Sequence, residues 1–128
     1  MIGYAMVGTN DLARAKTFYD ALMGSVGASL LMNFPRGGLA YGIKFGVPMV
    51  VVQPPYDDQP ATGGNGAMLA LSMKDRGQVE TLHAKALELG GVDEGAPGLR
   101  GEAGPQAFYG AYFRDLDGNK FCAFKIGD

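Results

Sequence analysis

The chain offers little with which to do acid–base or metal chemistry. Its 128 residues hold one histidine, His83, and one cysteine, Cys122. A divalent ion used as a Lewis acid needs several imidazoles and carboxylates converging with one position left open. His83 falls mid-helix on an apolar face with Val79, Leu82, Ala86 and Leu87, where bonding to a backbone carbonyl is its expected role. No Ser-His-Asp or Cys-His pair follows from a histidine so placed. Cys122 would act as a nucleophile only beside a base or cation. Lys120, two residues away and therefore on the same strand face, is the one at hand; a small buried hydrophobe is the competing and favoured reading. Arg36 sits in the loop Asn33-Phe34-Pro35-Arg36-Gly37-Gly38. From a cavity rim it would clamp a carboxylate or phosphate with two parallel hydrogen bonds; otherwise it is a solvated surface arginine. Gly63-Gly64-Asn65-Gly66 lacks the lysine and the following helix of a phosphate-binding loop.

These residues must be positioned by a unit that occurs twice. Gly3-Tyr4-Ala5-Met6-Val7-Gly8-Thr9-Asn10-Asp11 aligns with Ala67-Met68-Leu69-Ala70-Leu71-Ser72-Met73-Lys74-Asp75 at an offset of 64. A later glycine-led strand, Gly46 to Val52, aligns with Gly118 to Phe124 at an offset of 72, so the second unit carries about eight extra residues. The duplication puts Tyr4, Val50, Met68 and Cys122 in corresponding places, and none of the four is an ordinary catalytic or metal-binding residue.

Each unit reads β-α-β-β-β. Ile2 to Gly8 is a short apolar strand. Thr9-Asn10-Asp11 supplies capping oxygens, and Leu12, Ala15, Phe18, Tyr19, Leu22 and Met23 fall on one helical face, which Gly24 ends. Strands are expected over Gly27 to Asn33, Leu39 to Phe45 and Val47 to Gln53. Pro54 to Gly66 is a linker with three prolines and three glycines. In the second unit, Ala67 to Met73 is a strand, Asp75 caps a helix, and Gly90-Gly91 stops it. Gly91 to Pro105 is expected to be loop-rich, with at most a short strand near Val92. Ala107 to Arg114 and Lys120 to Ile126 are strands around the Asp115-Leu116-Asp117-Gly118-Asn119 turn. The sequence thus predicts one α+β domain over residues 1–128, with repeat units at about 1–53 and 67–128 joined by linker 54–66. The three strands after each helix predict a cupped mixed sheet with the helices on its outer face.

Composition excludes several partners. A net charge of −2, with 11 basic and 13 acidic residues and no basic run, argues against nucleic acid. No apolar stretch is long enough to span a membrane. The chain opens directly on a strand, without the pattern of a signal peptide, and a single cysteine forms no internal disulfide. A cytoplasmic location is the expectation.

Two motifs carry a family resemblance. Asn10-Asp11-Leu12 with Ala15 and Phe18-Tyr19 is similar to a "D-L-x-x-A-x-x-F-Y" helix start, and Arg114-Asp115-Leu116-Asp117-Gly118-Asn119 to an "R-D-P-D-G-N" turn with Leu116 in place of proline. On a duplicated β-α-β-β-β, the chain resembles the glyoxalase / bleomycin-resistance / extradiol-dioxygenase superfamily, the vicinal oxygen chelate fold, over its whole length. In metal-using members of that family a histidine would stand at Tyr4, another at Met68 and a glutamate at Cys122, whose counterpart in the first unit is Val50. The usual ligand set is therefore missing at all four positions, and no metal or other cofactor is expected.

The resemblance also implies a cavity on the concave side of the sheet. Alternation puts Tyr4 and Met6 on one face, and likewise Met68, Ala70 and Ser72, and Lys120, Cys122 and Phe124. Tyr109 and Tyr112 lie on opposite faces of one strand, so at most one enters the cavity, and Tyr109 is counted with the pocket residues. The expected pocket is lined by Tyr4, Met6, Arg36, Val50, Met68, Ala70, Tyr109, Lys120 and Cys122, with methionines that adapt to an irregular ligand. Metal-independent binding of a small organic molecule by a homodimer is the expected function, similar to the drug-sequestering branch. The alternatives are a metal-dependent lyase or dioxygenase, and a non-catalytic dimeric interaction domain whose cup is closed by side chains or a partner chain.

Overall fold

A computed structural model describes all 128 residues. The first unit comprises β1 (Tyr4–Gly8), α1 (Leu12–Gly24), β2 (Ser29–Asn33), β3 (Leu39–Gly42) and β4 (Met49–Gln53). The second comprises β5 (Leu69–Ser72), α2 (Arg76–Glu88), β6 (Val92–Arg100), β7 (Phe108–Arg114) and β8 (Lys120–Ile126). The strands form two four-stranded mixed sheets, one per unit, ordered β1-β4-β3-β2 and β5-β8-β7-β6. In each, the first strand runs parallel to the last and the other pairs are antiparallel. The α+β duplication predicted from the sequence is present.

The two helices start alike and end differently. The Asp11 carboxylate accepts from Arg14 N at 3.0 Å, and the Asp75 carboxylate accepts from Gln78 N at 2.8 Å, each satisfying an otherwise unpaired first-turn donor. At the end of α2, Gly90 N donates to Leu87 O and Gly91 N to Ala86 O, with Gly90 at φ 99°. Only a residue without a Cβ makes this reversal freely. α1 ends at Gly24, as expected; the left-handed residue of the turn that follows is Gly27, and Ala28 N closes it onto Met23 O.

Both helices serve one core. The buried face of α1 (Ala15, Phe18, Tyr19, Leu22, Met23) and that of α2 (Val79, Leu82, Ala86) join Leu39, Tyr41 and Val52 of the first sheet and Ala111, Phe113, Phe121 and Ala123 of the second in a single cluster. Tyr19 lies 6.2 Å from the Phe121 ring, so aromatic packing crosses from one unit to the other. Each sheet thus has one face on this core and one face free of helix. No helix is long and apolar enough to cross a membrane.

Two strand expectations change. Leu39 to Phe45 is predicted as one strand, but pairing stops at Gly42, and Ile43 and Phe45 stand 62% and 65% exposed in the turn. Residues 91–105 are predicted as loop-rich with at most a short strand near Val92; a strand does start there, but it runs for nine residues as β6, paired with β7. The strand escapes sequence reading because it is a bulged edge, with register shifts between Asp93 and Gly98 and three glycines or prolines in its middle.

Candidate functional site

The most recognisable motifs form a clasp between the units. Asp115, buried in the turn before β8, accepts from Tyr19 Oη at 2.5 Å, from Asn119 N and Nδ2 at 2.8 Å each, and from Asp117 N at 2.9 Å. Burial, and then the Asp115 charge, push the Tyr19 phenol well above its ordinary range, so it stays a donor. Asn119 Nδ2 donates to Gly8 O at 2.8 Å. Asp117 accepts from Thr9 Oγ1 at 2.6 Å and from Asn10 N and Arg14 at 2.9 Å each. The linker is held at the same place: a Cβ on Gly63 would collide with the Gly118 carbonyl oxygen. These polar groups are spent on holding the two halves together and leave no reactive arrangement.

The helix-free faces hold the other candidates. Tyr4 and Met6 project there from β1, each 52% exposed, with Met68 at 44% just before β5. Tyr4 meets Phe34 edge to face at 5.2 Å. Met6, Met68 and Lys120 line one cavity of about 380 Å³ between β1, the end of the linker and β8. Cys122 is opposite Ala70 on β5 and Tyr112 on β7. Burial pushes its thiol up, against the pull of Tyr112, Arg100 and Lys120, so it is not a preformed thiolate.

Three predicted pocket residues are elsewhere. β1 pairs with β4 so that Met6 is opposite Val51 and Ala5 opposite Val50. Val50 therefore packs toward the core, and the first-unit counterpart of Cys122 is Val51. The turn before β8 differs in length by one residue from that before β4, and a slip of one flips the face. Tyr109 faces α2, donating to Glu80 at 2.7 Å and lying under Arg76; Tyr112 is the tyrosine on the open face. Arg36 is tied to the linker, stacked 4.8 Å from the Tyr56 ring and bonded to Tyr56 O at 3.2 Å, so it acts as a strut. His83 bonds the Asp93 carboxylate at 2.9 Å rather than a backbone carbonyl. Sequence reading also missed Phe34 and Arg100, because both stand in segments expected to be loops.

No protein-family model matches the sequence, and no curated protein matches it. Among solved structures, the fold superposes on a glyoxalase/bleomycin resistance protein from Albidiferax ferrireducens T118 with a TM-score of 0.85, at 37% identity over 98% of both chains. The chain belongs to the glyoxalase/bleomycin resistance family. A hypothetical protein from S. aureus is similar at 25% identity and TM-score 0.72, over 98% of this chain and 93% of the other. A lactoylglutathione lyase from Agrobacterium tumefaciens, at 18% identity and TM-score 0.64 over 98% and 92%, shares the fold.

A metal of the family's kind does not fit the residues present. Tyr4, Val51, Met68 and Cys122 supply one phenol, one apolar side chain, one thioether and one protonated thiol. No group of three or more histidine, cysteine, aspartate or glutamate side chains is gathered anywhere in the chain. Hard divalent ions need oxygen or imidazole donors that this family member lacks at the position.

Proposed function

We propose that the chain binds a small organic molecule without a metal, on the helix-free side of its sheets. The observation that carries this reading is the cavity where Met6 and Met68 meet Lys120; Tyr4, two residues before Met6 on the same face of β1, is half-exposed. Flexible thioethers and an aromatic ring are suited to an apolar ligand of irregular shape. A second copy of the chain is the expected partner. The exposed Ile2, Ile43 and Phe45, which no element of the chain covers, support that reading. The lone buried thiol accords with a reducing cytoplasmic setting.

The test joins metal content by elemental mass spectrometry on untagged protein with fluorescence titration by the neutral dye N-phenyl-1-naphthylamine. Well under one metal per chain, together with saturable dye binding that Met6→Ser and Met68→Ser weaken, is the expected result. One metal per chain would replace this reading with the lyase or dioxygenase one. Light scattering in the same samples reads the dimer.

A further inference from the structure

The open face of the second sheet holds two cations without an ion-pair partner, one of which, Arg100, lines a cavity of about 580 Å³ together with Glu102. Arg100 at the end of β6 places its guanidinium 5.4 Å from the centre of the Tyr112 ring, and Lys120 at the start of β8 places its ammonium 5.8 Å from the same centre. Neither forms an ion pair, whereas Arg114 on the same face is matched by Glu94 at 2.5 Å. The acids outnumber the bases, so leaving these two unmatched is not forced by a shortage of carboxylates.

Arg100 is also a placed side chain. Its guanidinium folds back along its own strand, donating to Gly98 O at 3.1 Å and Ala96 O at 2.6 Å. It lies over Gly95 and Gly98, where an added Cβ would come within 3.2 and 3.3 Å of its terminal nitrogens. The bulged, glycine-bearing part of β6 thus serves as a floor for it. Two like charges held at one ring repel each other, and the ring face offsets only part of that. An anion between them removes the repulsion and takes up the guanidinium's remaining donors. Beyond Lys120 the same cavity offers apolar contacts from Met6, Met68 and Leu69 beside the polar Thr62 and Asn119.

From this juxtaposition we propose that the ligand is an amphipathic organic acid, its anionic group seated between Arg100 and Lys120 over Tyr112 and its apolar part running toward Met68 and Met6. The inference rests on the small-molecule reading above and adds the charge and orientation of the ligand.

Two dyes of related skeleton separate the two claims. The full chain is titrated with anionic 8-anilinonaphthalene-1-sulfonate and with neutral N-phenyl-1-naphthylamine. Lys120→Gln and Arg100→Gln together should weaken the anionic dye about tenfold and the neutral dye less than about twofold, with Arg100→Lys intermediate. Added salt should weaken only the anionic dye. Lys74→Gln, which removes an exposed charge at the turn before α2, should change neither. 1-Naphthoate should displace the anionic dye and inorganic phosphate should not; the reverse would reject an amphipathic ligand. Because Arg100→Gln also removes bonds within β6, Lys120→Gln is read by itself as well, with circular dichroism checking the fold. If both dyes bind but the anionic one is indifferent to Lys120→Gln and to salt, the anion site is wrong and the pocket stands. If neither dye saturates, both readings fall.

Discussion

The two repeat units share a plan and differ in what they do with each face. On the core side they match: an aspartate cap, an apolar helix stripe, and a parallel pairing of first strand with last. On the open side the first unit shows Tyr4, Met6 and Phe34, without charge at its centre, while the second shows Arg100, Lys120, Tyr112 and Cys122. The turns before the last strands differ too. Residues 43–48 of the first unit leave Ile43 and Phe45 in solvent, whereas Asp115 to Asn119 of the second is the clasp. The side facing a shared core has to keep volume and polarity in step with the other unit. The side facing solvent is free of that demand, so the two copies differ there.

The clasp gives the largest expected effect. Asp115→Ala removes the acceptor for four hydrogen bonds and leaves buried donors unpaired. We expect a loss of about 3–5 kcal/mol by thermal or urea unfolding, in a single transition. Two separated transitions would break the view that the units share one core. Next, the two faces can be set against each other: Val50→Asp, toward the core, should cost about 2–4 kcal/mol, and Tyr4→Ser, on the open face, under about 1 kcal/mol. Equal costs would undo the register described for β1 and β4.

Tyr19→Phe is a finer probe of the clasp, with about 1–2 kcal/mol expected. It should also change alkaline sensitivity. The folded phenol is held above its ordinary range by burial and by Asp115. Below about pH 10 both states keep the proton; above it the unfolded chain releases the proton first, so stability falls as pH rises. Stability curves from pH 8 to 11 should be flatter in the variant, though not flat, because burial and Asp20 raise Tyr41 as well. The smallest effect concerns Cys122. Its raised thiol should react with Ellman's reagent at pH 7 more slowly than free cysteine does. Rapid labelling would turn the second unit's open face into a nucleophilic one.

The repeat, the caps, the helix faces and the β7–β8 turn were all legible in the sequence, because each is written in local chemistry: Asp at an N-cap, apolar residues at helical spacing, Asp-Gly at a reversal. What was not legible depends on pairing across strands. The offset of 72 makes Val50 the counterpart of Cys122, and a single residue in a turn moves that role to Val51. β6 had no alternating apolar pattern to announce it, so Arg100 was invisible as a site residue. Tyr109 and Tyr112 were known to oppose each other, but only their neighbours, Glu80 for one and Cys122 for the other, say which side each is on.

The clasp also dictates when this molecule can become itself. Its contacts join Gly8 to Asn119 and Tyr19 to Asp115, 111 and 96 residues apart, so the first repeat waits for the turn of the second. Until that turn is made, Phe18 and Tyr19 have no Phe121 or Asp115 to cover them, and the first repeat travels as a nascent chain with its future interior in water. Closing loops of that length is slow relative to forming helices, so the interval before the turn arrives is when a chaperone or another chain can take hold.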